Sequence, residues 1–181
     1  MAQIGYIYLG ISLGTTGGLI VALFQMLSHG FAKSLLFLCA GAMRRASGEK
    51  TDTDDMKGVG FKAPLAGVAF TIGAFSMVGI PLTGGFVTKL LLMRESMNQP
   101  TGIMIAVWAL MLISTLLNIL YFMRAATLIW KNEPGTKPQK GPGAGFAFAL
   151  AAIGLSACVI ACFLFAGPLM DILERGLALF A

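Results

Sequence analysis

The chain has 181 residues, of which 57% are hydrophobic and only 12% charged, with a net charge of +5; its mean hydropathy is +0.83. Soluble domains carry about 25% charged residues, so this composition is that of a membrane protein and excludes an ordinary soluble enzyme. The basic excess does not point to nucleic acid, because it sits in short loops between apolar runs and no basic face is interleaved with aromatic residues.

Residues 2–13 are apolar but too few to cross a hydrocarbon layer alone, which takes about 20 residues. They predict a partial N-terminal helix over residues 1–13, ending at the glycines Gly14, Gly17 and Gly18. The first residues contain no basic group, unlike a secretory signal. Residues 16–43 are long enough to span with some tilt and stop at Arg44 and Arg45. The most polar stretch follows, "ASGEKTDTDDMKGVGFK" at 46–62, and reads as a surface loop.

The next apolar block, 63–97, is too long for one straight spanning helix and short for two. At its middle stands "GIPLTGG", residues 79–85, where Pro81 with Gly79, Gly84 and Gly85 breaks any helix. Two further spans are expected at 103–130 and 144–170, separated by the loop "KNEPGTKPQKGPG". The tail, 171–181, is amphipathic enough to lie at an interface.

Charge decides how block 63–97 crosses. A single broken pass puts Arg44, Arg45, Lys50, Lys57, Lys62, Arg124, Lys131, Lys137 and Lys140 on one side and leaves Arg94 and Arg175 on the other. Two passes would erase that bias. The positive-inside rule therefore selects one broken pass, with loops 46–62 and 131–143 cytoplasmic in a cell's inner (plasma) membrane. The expected architecture is all-α and polytopic: a single membrane domain over 1–181 with about four transmembrane helices, one of them broken at Pro81, Gly84 and Gly85, plus the partial first helix.

With the loops assigned, Lys33 and Lys89 remain inside spans. An ionisable group at mid-bilayer costs several kcal/mol and is a functional candidate by default. Lys33 lies ten residues from Met43, about 15 Å along a helix, too deep for easy snorkelling. Lys89 follows the helix break directly, and broken backbone is tolerated only against protein or a water-filled cavity. Gln25, His29 and Lys33 are spaced i, i+4, i+8 and form a polar stripe on one helix, beside Ser28. His29 is the sole histidine and no carboxylate lies deep in a span, so neither a metal site nor a sodium site is expected. Histidine, and lysine held out of water, exchange protons near neutral pH, so the stripe suits protons. Cys39, Cys158 and Cys162 form no CxxC pair and read as packing residues. No nucleotide loop, nucleophile–base pair or haem motif is present, so any chemistry beyond ion movement falls to partner subunits.

Three ordered stretches, "AQIGYIYLGISLG", "SHGFAKSLLFLCAGAM" and "GIPLTGGFVTKLLL", resemble the antiporter-like subunits of respiratory complex I, membrane-bound hydrogenases and multisubunit cation/proton antiporters. The resemblance covers nearly the whole chain and corresponds to the C-terminal part of such a subunit, from the end of its tenth helix to its fourteenth. It implies that Gln3 is a polar group of the "QIGY" motif, that His29 and Lys33 lie on a central polar axis, and that Lys89 is the second broken helix's proton carrier. It also implies a proton-translocating outer half-channel in a redox-driven complex, with a multisubunit Na+/H+ antiporter or a non-conducting structural half-subunit as alternatives. The chain is expected to hold no cofactor itself, while partners carry Fe–S clusters, a nickel–iron centre or quinone. Expected partners are other membrane subunits, including one supplying the first repeat, and lipid, but no nucleic acid. Met1 falls inside a helix of the family pattern, so a split gene and a truncated product are equally expected.

Overall fold

A computed structural model describes residues 2–49, 56–131 and 145–179, and among these all regular structure is helical. The order is α1 (Ala2–Ser12), α2 (Thr16–Ala46), α3 (Val59–Lys62), α4 (Pro64–Val78), α5 (Gly84–Ser96), α6 (Thr101–Ile129), α7 (Phe146–Leu164) and α8 (Ala166–Ala178). Three of these, α2, α6 and α7, are long and apolar enough to cross a membrane by length and composition. Helices α4 and α5 are the two halves of the broken pass.

The break follows from its residues. Gly79 adopts φ +83°, the left-handed conformation that caps a helix cheaply only without a Cβ. Its N–H and that of Ile80 return to the carbonyls of Phe75 and Ser76. Pro81 has no N–H to offer, Leu82 turns at φ +75°, and extended Thr83 leads into α5. Gly85 sits where a Cβ would collide with the Ser76 carbonyl, so the two halves approach closer than any side chain allows.

The halves continue in one direction. At its start, α4 packs with α3 against Trp130, whose indole donates to Thr71 Oγ1 at 3.1 Å. At the end of α5, Gln99 donates to the Leu13 carbonyl at 3.1 Å, and Trp108 donates to Ser96 Oγ at 2.9 Å. The chain thus crosses once between 63 and 97. The Gly58 N–H meets the Leu128 carbonyl, so the end of loop 46–62 and the end of α6 lie together with Arg44, Arg45, Lys62, Arg124 and Lys131 at one end of the bundle. Arg44 and Arg45 fall in the last turn of α2, where the helix dipole favours cations.

The core is built around α2. At the basic end, Leu35, Leu36, Cys39 and Met43 pack with Ala66, Ala69, Ala74 and Met77 of α4 and with Ala126, Ile129, Ala152 and Val159. At the opposite end, Tyr6, Leu13, Val21, Leu92, Val107 and Met111 form a second cluster. Small residues on facing helices allow close packing where lipid offers no hydrophobic drive.

Four boundaries depart from the sequence expectation. Helix α2 runs past the expected residue 43 to Ala46. Loop 46–62 contains the single turn α3. The expected span 144–170 ends at Leu164, because Pro168 cannot donate to the carbonyl four residues back and its ring crowds that carbonyl. The helix restarts at Ala166, so the amphipathic segment begins ahead of the expected 171 and runs to Ala178. Its apolar face, with Ala166, Leu169, Met170 and Leu173, packs on Phe24, Val87 and Cys162, while Asp171, Glu174 and Arg175 stay exposed. The expected loop 131–143 lies outside the described residues except for Lys131.

Candidate functional site

The unsatisfied carbonyls at the end of α4 organise the site. A helix leaves its last four C=O groups without internal donors, and mid-membrane there is no bulk water to take them. Here two are met by side chains from different helices. Gln3 Nε2 of α1 donates to the Met77 carbonyl at 2.7 Å. Lys89 Nζ of α5 donates to the Val78 carbonyl. Lys89 is half-buried, and its amine also lies over the Tyr6 ring, 5.6 Å from the centroid.

Gln3 extends the network into α2, since Gln25 Nε2 donates to Gln3 Oε1 at 2.9 Å. Gln25 is only 2% exposed. Its Oε1 and the Nδ1 of His29, one helical turn on, are both buried without a partner among the described residues. A buried polar atom left so costs about 1–3 kcal/mol, and a bridging water is the ordinary remedy where two polar groups face one space. The α1–α2 contact that permits this is tight: a Cβ on Gly10 would stand 2.7 Å from the Gly18 carbonyl.

The structure thus brings Gln3, Gln25 and Lys89 together at the end of α4 beside Gly79, with His29 one helical turn beyond Gln25 on α2. Lys33 does not join them. Each four-residue step on an α-helix advances about 40° beyond a full turn, so the stripe slides from buried Gln25 through half-buried His29 to exposed Lys33. The Lys33 amine lies 4.8 Å from the Phe37 ring centroid on the open face of α2. Of the break residues, Gly79 lies against the Lys89 side chain, while Gly84 packs against Ser28 and Cys162; Pro81 is exposed in the turn.

Sequence reasoning missed three members. Tyr6 is 3% exposed, and its hydroxyl donates to Ser114 Oγ of α6 at 2.9 Å; Asn118, one turn along α6, is also buried. The signal was present in "ISTLLNIL" (113–120), where two polar residues stand at i, i+4 in an apolar span. Among the described residues no group of three or more His, Cys, Asp or Glu is placed to hold a metal.

The proton-antiporter membrane family, described as "NADH:quinone oxidoreductase/Mrp antiporter, TM", matches residues 1–127. The chain belongs to this family. Among family relatives, subunit N of an NADH-quinone oxidoreductase from Desulforudis audaxviator is 35% identical over 149 residues, covering 80% of this chain and 29% of that protein. Subunit L of the F(420)H(2) dehydrogenase from Methanosarcina mazei is 38% identical over 98 residues, 49% of this chain and 14% of that protein. A chain in the structure of the Mrp complex from Dietzia sp. superimposes with a TM-score of 0.80 at 28% identity, covering 95% of this chain and 39% of that one. The chain therefore spans less than a third of the length of these curated relatives.

Proposed function

We propose that the chain forms the outer proton half-channel of an antiporter-like subunit in a redox-driven membrane complex, with Lys89 as its proton carrier. The observation that carries this reading is the Lys89 amine seated on the buried C-terminal end of α4, whose Met77 carbonyl is joined to α2 through Gln3 and Gln25. An amine there can exist charged, held by the Val78 carbonyl and the helix dipole, or neutral, relieved of the burden of a buried charge. Alternation between two such states, with water on either side, is what proton passage requires. His29 and the paired glutamines supply polar positions for water between the open face of α2 and Lys89. Lys33, at that face, is where a proton enters from the part of the subunit that this chain does not contain.

In this reading, the chain sits in the inner membrane with its basic end, including loops 46–62 and 131–143, cytoplasmic. Partner membrane subunits cover the exposed face of α2, one of them supplying the first repeat. The redox groups (Fe–S clusters, a nickel–iron centre or quinone) belong to partners. A second reading is favoured by the Mrp match over 95% of the chain: the same half-channel in a cation/proton antiporter without redox chemistry.

The test is proton uptake by vesicles containing the whole complex. Lys89→Ala should abolish it while the complex still assembles. Lys89→Arg should also fail, because a guanidinium stays protonated in proteins. Pumping by Lys89→Arg at the parental rate would make Lys89 a fixed charge and would reject the carrier role. Pumping by Lys89→Ala would leave only a structural half-subunit. Uptake driven by a sodium gradient and not by electron donors would select the antiporter reading.

A further inference from the structure

Lys89 has polar neighbours on two sides. One is the α1–α2 side already described. The other begins at Tyr6, whose ring faces the Lys89 amine at 5.6 Å and whose hydroxyl reaches the Ser114 hydroxyl of α6 at 2.9 Å. Asn118 follows on the same face, one turn or about 6 Å along. It is 8% exposed, and its Nδ2 is buried with no partner among the described residues. Nothing in the packing of α6 requires this. The neighbouring inward positions Val107, Met111, Ala126 and Ile129 are apolar, and a leucine at 118 would spare the membrane interior an unsatisfied amide, a cost of about 1–3 kcal/mol. A buried donor kept at that cost, beside a tyrosine–serine pair that touches the carrier, has the makings of a water position.

We infer that Tyr6, Ser114 and Asn118 form a second arm of the site, which holds a water that accepts the proton of Lys89. The inference rests on the carrier role of Lys89. The Val78 carbonyl cannot serve as that acceptor, since it binds the ammonium without taking its proton. In the step drawn here, a water held by the arm accepts one proton from the Lys89 ammonium, which leaves a neutral amine. That water passes a proton on, and any hydroxyl on the route receives one proton and gives up another, so Tyr6 and Ser114 end unchanged. Asn118 exchanges nothing; its amide N–H groups fix the water, which makes it a positioning residue. The two arms stand on different helices, α2 and α6, and both meet α1: Gln3 and Tyr6 are three residues apart on it.

The experiment uses the intact complex in vesicles and measures proton uptake per assembled complex in H2O and in D2O. Asn118→Leu and Tyr6→Phe should each slow uptake about tenfold and raise the H2O/D2O rate ratio, because proton transfer from Lys89 has become limiting. Asn118→Gln, which restores an amide, should recover much of the rate. Should Asn118→Leu reduce assembly, Tyr6→Phe removes one oxygen and keeps the ring, and its per-complex rate decides. Parental rates and an unchanged isotope ratio in Tyr6→Phe would overturn the inference, as would failure of Asn118→Gln to differ from Asn118→Leu. Loss of function in Lys89→Ala alongside normal uptake in the arm variants would reject the arm and leave the carrier intact. Normal uptake in Lys89→Ala would reject the carrier reading itself.

Discussion

The amine of Lys89, in α5, is hydrogen-bonded to the carbonyl of Val78, the last residue of α4, across the break in a single membrane pass. The lysine therefore has two separable duties: it satisfies a carbonyl that mid-membrane packing leaves bare, and it offers a group able to change charge. Lys89→Gln separates them. A glutamine amide can still donate to the break but cannot carry a proton. That variant should assemble and lose no more than about 1–2 kcal/mol of stability, the difference between a charge-assisted hydrogen bond and a neutral one, and should translocate no protons. Vesicle uptake and the melting temperature of the purified complex check both halves.

The closeness of the two half-helices makes a sharp prediction at Gly85. A methyl group there meets the Ser76 carbonyl, which belongs to helical backbone and cannot rotate aside. Gly85→Ala should destabilise the complex by about 1–3 kcal/mol, the usual cost of forcing extra volume into a packed interior. At Gly102, in the first turn of α6, no neighbour stands in the way. Gly102→Ala should be neutral or stabilising by up to about 1 kcal/mol from helix propensity. Thermal unfolding of the two variants side by side provides the comparison.

The glutamine pair should behave as a unit. Gln25→Leu leaves Gln3 Oε1 without its donor, and Gln3→Leu leaves the Met77 carbonyl without one; each should cost about 1–3 kcal/mol. The double variant should cost less than the two single losses together, with a coupling of about 0.5–3 kcal/mol. Additive losses in a double-mutant cycle would show that the two amides do not depend on each other.

The topology is testable with single cysteines. The sites Ser47→Cys and Lys131→Cys should both resist an impermeant thiol reagent added from outside intact cells, and Asn98→Cys, between α5 and α6, should react. Opposite labelling of the first two would contradict the single crossing of block 63–97.

Much of this fold was legible because membrane helices advertise themselves. Apolar run length located α2, α6 and most of α7, and "GIPLTGG" announced the break and with it Lys89. The end of α7 was misplaced because Leu164–Met170 stays apolar through the break, so hydropathy continues where backbone hydrogen bonding does not. The stripe Gln25–His29–Lys33 was recognised as a stripe, but a four-residue interval hides a steady drift around the helix. Its buried end and its exposed end are different environments. The Tyr6–Ser114 contact spans 108 residues of sequence and joins two helices whose patterns carry no sign of each other.

The glycine contact between α1 and α2 sets the dimensional tolerance of the whole polar core. Gly10 and Gly18 bring two backbones together with no side chain between them, and both Gln3 and Tyr6 ride on the shorter of those helices. A methyl at either glycine acts as a shim. It lifts α1 by a fraction of a side-chain width, and the displacement is read at once at Gln25, at Met77 and at the ring above Lys89. The geometry around Lys89 is thus held about one to two helical turns from Gln3, Tyr6 and Gln25, in a pair of residues that carry no side chains at all.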